Sequence, residues 1–148
     1  MDPQSRRQQA ALSIERLIAT RDRIKAVLPD ADVADYRGLI PDLQLPDPDD
    51  RHVLAAAIAG KASLIVTWNL KDFPLRDIAF HGVASQSPDD FLNGLHATFP
   101  DALISSVKRA RNNLRKTMPA VDAFIDELQQ CGLKTFLSLL RQDLDGLI

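Results

Sequence analysis

The sequence predicts an α/β fold in the middle of the chain and helices at both ends, from two adjacent signals. Asp47-Pro48 is typical of a helix start, and the apolar residues that follow end at Gly60, which is typical of a helix stop. Residues 63–68 are then a short β-branched run, too continuous for a half-exposed strand and typical of a buried parallel strand. A second short run at 83–85 predicts another strand.

The remaining elements are helices separated by prolines and glycines. An apolar period near 3.6 residues predicts the first helix from about Pro3 to Val27, and Pro29 ends it. Residues 30–46 have no clear period and predict a long connection or a short helix. Further helices are predicted at about 87–99, 101–117, 119–131 and 133–145.

Two strands are few for an open parallel sheet, which normally has four or more. Either the irregular segment 33–45 supplies another strand, or part of the domain is absent from this chain. We expect residues 1–100 to form the α/β domain and residues 101–148 to form a helical extension packed on the same domain.

Composition is that of one soluble globular domain. The chain has 148 residues, of which 45% are hydrophobic and 26% are charged. No apolar run approaches the ~20 residues of a membrane helix, and the N-terminus has no signal-peptide core, so we expect a cytoplasmic protein without a membrane partner. The single cysteine, Cys131, predicts no internal disulfide.

The net charge of −2 hides an uneven distribution. Residues 29–50 contain seven aspartates against one arginine, Arg37. A basic cluster follows later, consisting of Lys108, Arg109, Arg111, Arg115 and Lys116. This cluster is either a surface that neutralises RNA phosphates or a solvated helix face, and the sequence leaves both interpretations open.

Carboxylates are concentrated around the predicted helix start and the end of the first strand. Asp47, Asp49 and Asp50 open the helix, and Asn69 and Asp72 follow the strand. Sites in open α/β sheets gather at the carboxyl ends of strands, and clustered carboxylates suit Mg²⁺ or Mn²⁺. The alternative is structural, because Asp-Pro-x-Asp also caps a helix and an aspartate in a loop also forms turns.

Two further side chains have both a functional and a structural interpretation. His52 lies two positions after Asp50 and could contact a substrate phosphate, although a histidine on the helix surface or in the core is the commoner case. Trp68 could stack on a nucleobase, although packing at the strand end is the commoner role.

The acidic helix start with Ala55, Ala56 and Ala57, followed by a strand ending in Thr67-x-Asn69-x-x-Asp72-Phe73, resembles the C-terminal half of a PIN domain. This family comprises Mg²⁺- or Mn²⁺-dependent ribonucleases, including the VapC-type toxins of bacterial toxin–antitoxin pairs. The resemblance is strongest over about residues 30–100. It implies a PIN-like parallel sheet, here truncated, with helices on both faces and an all-helical C-terminal extension.

The resemblance also implies roles for individual residues. Asp50 matches the family's third metal-site acid and Asp72 matches the acid after the strand, so both are expected to be catalytic residues and metal ligands. Asn69 and Thr67 match the polar companions of these acids in the catalytic site. Asp47 and Asp49 are expected to have a supporting role at most.

The sequence departs from the family pattern at its N-terminal side. PIN domains begin with a strand that ends in an aspartate, and a helical glutamate follows; neither is found in this sequence. We therefore expect weak binding of Mg²⁺ or Mn²⁺ and weak or absent ribonuclease activity for the chain as it stands.

The resemblance implies RNA and an antitoxin protein as partners. A homo-oligomer is also expected, because a missing first strand exposes a sheet edge that another chain can cover. The main alternative is a non-catalytic PIN remnant that binds protein or RNA. A more distant one is a helical nucleic-acid-binding protein that uses residues 101–117.

Overall fold

The computed structural model describes residues 3–114 and 120–141. Its helices and strands are, in chain order, α1 (Pro3–Val27), α2 (Arg51–Ala59), β1 (Leu64–Val66), α3 (Leu75–Ile78), β2 (Ala84–Gln86), α4 (Pro88–Thr98), α5 (Pro100–Asn113), α6 (Val121–Gln130) and α7 (Lys134–Leu140). Short 3₁₀ segments connect several of them, the longest being Tyr36–Asp42. The helix boundaries predicted at 117, 119 and 145 lie outside the described residues.

The two strands form a parallel pair, as the sequence predicted. Leu64 lies opposite Ala84 and Val66 lies opposite Gln86. The ladder continues at both ends, since the Ala84 N–H donates to the Ser63 carbonyl (2.9 Å) and the Thr67 N–H donates to the Gln86 carbonyl (3.0 Å). The predicted α/β fold class is confirmed, with β1 directly following α2. The prediction that β1 is a buried strand is wrong: Ile65 faces the first core, whereas Val66 on the opposite face is exposed.

The segment 33–45 does not supply a strand. Residues Tyr36–Asp42 form a 3₁₀ helix that packs on α2, and the sheet has two strands in the part of the chain that the structure describes. Leu43 and Leu45, just after this segment, are buried, while Tyr36 and Ile40 are partly buried against the same core. These residues therefore anchor the connection by burial and not by strand pairing.

The first core lies between α2, the sheet and the segment that precedes them. Leu54 and Ile78 are completely buried at its centre. The other buried members are Leu43, Leu45, Ala55, Ala57, Ile65, Phe73 and Val83. This core fixes the positions of the start of α2 and the end of β1.

A second core joins the C-terminal helices. Its buried members are Leu103, Ile125, Leu133, Phe136, Leu137 and Leu140. Leu92 and Leu95 of α4 pack against this core. The division of the chain at residues 100 and 101 stays a prediction.

Asp89 links α4 to α7, which is far from it in sequence. Its carboxylate accepts hydrogen bonds from the backbone N–H groups of Thr135 (2.9 Å) and Phe136 (2.8 Å), in the first turn of α7. Burial raises the pKa of the Asp89 carboxyl, but the N–H groups of Phe136 and Thr135 outweigh this effect, so its pKa lies below the ordinary value. Ser87, in contrast, caps α4 itself, accepting from the Asp90 N–H at 3.1 Å.

Helix α1 has the predicted bounds, and the side chains described in it, over residues 14–27, are exposed. Leu17, Ile18 and Ile24 are all exposed. An ion pair between Lys25 and Asp32 links the end of α1 to the residues after it. Among the described helices, none combines the length and the apolar character that crossing a bilayer requires.

Candidate functional site

The turn before α2 is organised by Asp47. Its Oδ1 accepts a hydrogen bond from the Asp49 N–H (2.9 Å), and its backbone carbonyl accepts one from the Asp50 N–H (3.2 Å). Residues Pro48–Asp50 form a 3₁₀ turn that runs directly into α2. The capping interpretation is therefore correct for Asp47, and this cap holds Asp50 at the start of the helix.

His52 lies on the exposed side of the same turn. Its Nδ1–H donates to the Asp49 backbone carbonyl at 2.6 Å. This bond is local, and it gives His52 a structural role at the helix surface.

The exit of β1 is a second compact turn. The Thr67 hydroxyl oxygen accepts a hydrogen bond from the Asn69 N–H (3.0 Å), and the Asn69 carbonyl accepts one from the Asp72 N–H (3.2 Å). The Asn69 side-chain amide donates to Oδ2 of Asp72. Asn69 thus orients the Asp72 carboxylate, while Thr67 acts on Asn69 and so only indirectly on Asp72.

This second turn is anchored to the sheet and to the core. Phe73, directly after Asp72, is buried, and its carbonyl accepts a hydrogen bond from the Ser85 hydroxyl of β2 (2.9 Å). The position of Asp72 is therefore determined by Asn69 on one side and by the Phe73–Ser85 contact on the other.

The two turns bring three carboxylates together. One oxygen from each of Asp47, Asp50 and Asp72 lies within 4.8 Å of the others. Two oxygens that share a Mg²⁺ ion at about 2.1 Å can be separated by at most about 4.2 Å. A shift of a few tenths of an ångström would bring this set of hard oxygen donors into the first shell of Mg²⁺ or Mn²⁺, so the residues fit such an ion.

The structure adds one acid to the pair predicted from the sequence. Asp50 and Asp72 lie close together as expected, and Asp47, which was given a supporting role at most, joins them. The spacing of three residues between Asp47 and Asp50 on one helical turn was the available signal. The metal-binding and catalytic roles of Asp50, Asp72, Asn69 and Thr67 stay predictions.

The basic cluster lies partly on the described portion of α5. Arg109 is exposed there, and Lys108 and Arg111 are partly buried. Arg115 and Lys116 lie outside the described residues. RNA binding by this cluster stays a prediction.

Two family profiles match the chain. The PIN domain profile matches residues 2–71, and the profile named VapC50 C-terminal domain matches residues 88–142. The predicted resemblance to the PIN domain family is thereby confirmed. Asp47, Asp50, Thr67 and Asn69 lie inside the PIN match, and Asp72 directly follows its last residue.

One curated protein is similar to this chain over a shorter stretch. The chain is 51% identical over 43 residues to a protein of Mycobacterium tuberculosis (strain ATCC 25618 / H37Rv) named "Putative ribonuclease VapC50". This alignment covers 29% of the chain and spans a quarter (25%) of that relative's length. No solved structure matches the chain significantly.

Proposed function

We propose that this PIN-related chain is a metal-dependent ribonuclease and the toxin of a toxin–antitoxin pair. The observation that supports it most is the approach of Asp47, Asp50 and Asp72 at the end of a parallel strand. The PIN domain match and the name of the curated relative support the same class of activity.

Asp50 and Asp72 hold the ion in this proposal, and Asp47 supplies a third ligand. A bound Mg²⁺ or Mn²⁺ ion would supply a more acidic water and would neutralise charge on a phosphodiester. Asn69 orients Asp72 through its amide, and Thr67 holds Asn69 through its hydroxyl. Because the cluster offers three carboxylates, we expect weak binding of either ion.

The same proposal assigns the partners. RNA is the substrate, and the basic residues of α5 contact its phosphates. An antitoxin protein binds the toxin, and a homo-oligomer covers the open edge of the two-stranded sheet. The chain acts in the cytoplasm, where its RNA substrate is found.

A second candidate is a non-catalytic PIN remnant that binds protein or RNA. The Asp47 cap favours it, because this carboxylate already serves the fold by accepting from the Asp49 N–H. In that case the three acids stabilise the start of α2 and a turn, and no ion is required.

The experiment compares Mn²⁺ binding by the wild type, Asp50→Asn, Asp72→Asn and a control, Asp42→Asn. Asp42 is an exposed aspartate at the end of the 3₁₀ helix and outside the cluster. Each cluster variant should bind Mn²⁺ at least about tenfold more weakly than the wild type. Loss of a residue that only supports a metal ligand lowers metal affinity about 10–100-fold, and loss of a direct ligand should have at least that effect. The control should bind like the wild type.

RNA cleavage is measured on the same four proteins, with and without a chelator. Chelator-sensitive cleavage that Asp50→Asn abolishes supports the ribonuclease. Mn²⁺ binding without cleavage favours the remnant. Equal Mn²⁺ affinity in wild type and Asp50→Asn refutes the metal site.

A further inference from the structure

We infer that Trp68 is a positioning residue, held by Gly132, through which the C-terminal helices fix the turn that carries Asp72. Trp68 lies between Thr67 and Asn69 at the exit of β1. The effect on metal binding rests on the proposed function, whereas the effect on the turn does not.

The contact is close and requires glycine. A Cβ atom placed on Gly132 would lie 3.2, 3.5 and 3.6 Å from Cη2, Cζ2 and Cζ3 of the Trp68 indole. Gly132 also has a φ of +96°, a left-handed conformation that residues with a side chain rarely adopt. The α6–α7 turn therefore offers the indole a bare backbone surface at this position.

The start of α7, just after this turn, is contacted by α4, which follows the other strand. Asp89 follows β2 by three residues and accepts hydrogen bonds from Thr135 and Phe136. Gly132 and Phe136 are four residues apart, so one short segment contacts the chain beyond the carboxyl ends of both strands. The site acids lie at this edge of the sheet.

Burial of the indole does not explain the contact, because Trp68 remains 55% exposed. What the contact restrains is the backbone on either side of the ring. Moving the indole displaces Thr67 and Asn69, and Asn69 is the residue that donates to the Asp72 carboxylate. Trp68 thus acts on Asp72 through Asn69. Of the two interpretations of Trp68 in the sequence, the contact favours packing.

The test compares Gly132→Ala with Gly82→Ala. Gly82 has a φ of +75°, so both substitutions strain the backbone, but a Cβ atom on Gly82 would meet nothing within 4 Å. The difference between the variants therefore isolates the displacement of Trp68. Trp68→Ala is a third variant that removes the contact without straining the backbone.

Three readouts separate the steps. Fluorescence reports the indole directly, because the chain has one tryptophan. Hydrogen exchange over residues 67–73 reports the turn, and Mn²⁺ titration reports the acid cluster. Gly132→Ala should shift the tryptophan emission to the red and should speed hydrogen exchange over residues 67–73. Its Mn²⁺ affinity should fall about tenfold, which is the low end of the loss seen when a residue that supports a metal ligand is removed. Trp68→Ala should show the same exchange and affinity changes, and Gly82→Ala should show neither.

Equal exchange over 67–73 in Trp68→Ala and wild type overturns the inference, whatever happens to Mn²⁺. Faster exchange with unchanged Mn²⁺ affinity also overturns it, because the contact would then stabilise the turn without positioning Asp72. If the wild type binds no Mn²⁺ but exchange still rises in the variants, the proposed function fails and the positioning of the turn by Trp68 stands.

Discussion

Replacing Asp89 with asparagine tests the link between α4 and α7. The carboxylate accepts two backbone N–H groups with its two oxygens, at 2.9 and 2.8 Å. Asparagine has one acceptor oxygen, so its NH₂ group would face one of these donors. We expect Asp89→Asn to lower the free energy of unfolding by about 1–2 kcal/mol, the usual effect of losing a helix cap. For a domain of this size, this corresponds to a decrease in Tm of about 2–8 °C.

The stability difference between wild type and Asp89→Asn should also depend on pH. The pKa of Asp89 in the folded state lies below the ordinary value of 3.8, which describes the unfolded state. Its contribution is therefore complete above that value and disappears as the pH falls through the lower folded pKa. Wild type and Asp89→Asn should differ most above about pH 5, and the difference should shrink below about pH 4.

Urea unfolding at pH 7 and at pH 3 measures both effects. Asp90→Asn is the matched control, because Asp90 carries the same charge in the same turn but takes a local hydrogen bond from Ser87 (2.6 Å). It should change stability by less than about 0.5 kcal/mol, as surface substitutions usually do. A similar loss for Asp89→Asn and Asp90→Asn, or a loss that is as large at pH 3 as at pH 7, would refute the assignment of the cap.

Two other substitutions test the packing around α2. Leu54→Ala should lower the free energy of unfolding by about 2–5 kcal/mol in urea unfolding, because Leu54 is completely buried and truncation leaves a cavity; an effect below 1 kcal/mol would contradict the packing. Gly60→Ala should also destabilise, since its Cβ would lie 2.9 Å from a methyl group of Val33. Val33→Ala should then restore part of the stability lost in Gly60→Ala, and strictly additive effects in the double variant would contradict that contact.

The middle of the fold could be predicted because its signals are local. Asp47-Pro48 and Gly60 determine where the α2 region begins and ends, and the run with Ile65, Val66 and Thr67 predicts a strand. The prediction that this strand is buried was wrong, because the side chains of a strand alternate between two faces and only Ile65 faces the core. The structure follows these signals closely, with α2 ending at Ala59 and β1 at Leu64–Val66. The pairing of Asp50 with Asp72 was predictable because helix starts and strand exits meet at one edge of a parallel sheet.

The other features depend on contacts between residues far apart in sequence. Nothing near Asp89 indicates that its carboxylate caps α7 and not its own helix, since the partners lie more than 40 residues away. The contact between Trp68 and Gly132 likewise joins residues that are far apart in sequence. The segment 33–45 was ambiguous because its apolar residues fit either a strand or a packed connection, and burial of Leu43 and Leu45 against α2 decided the outcome.

The geometry of the acid cluster explains how the chain can hold three carboxylates together and still fold. Asp47 and Asp50 lie at the N-terminal end of α2, where the positive end of the helix dipole and its free N–H groups stabilise negative charge. Asp72 accepts from the Asn69 amide. Asp47 and Asp72 thus each accept a hydrogen bond, and Asp50 is stabilised by its position at the helix start. We therefore expect Asp50→Asn to lower Mn²⁺ affinity strongly while changing stability only by the fraction of a kcal/mol that one charge at a helix end contributes.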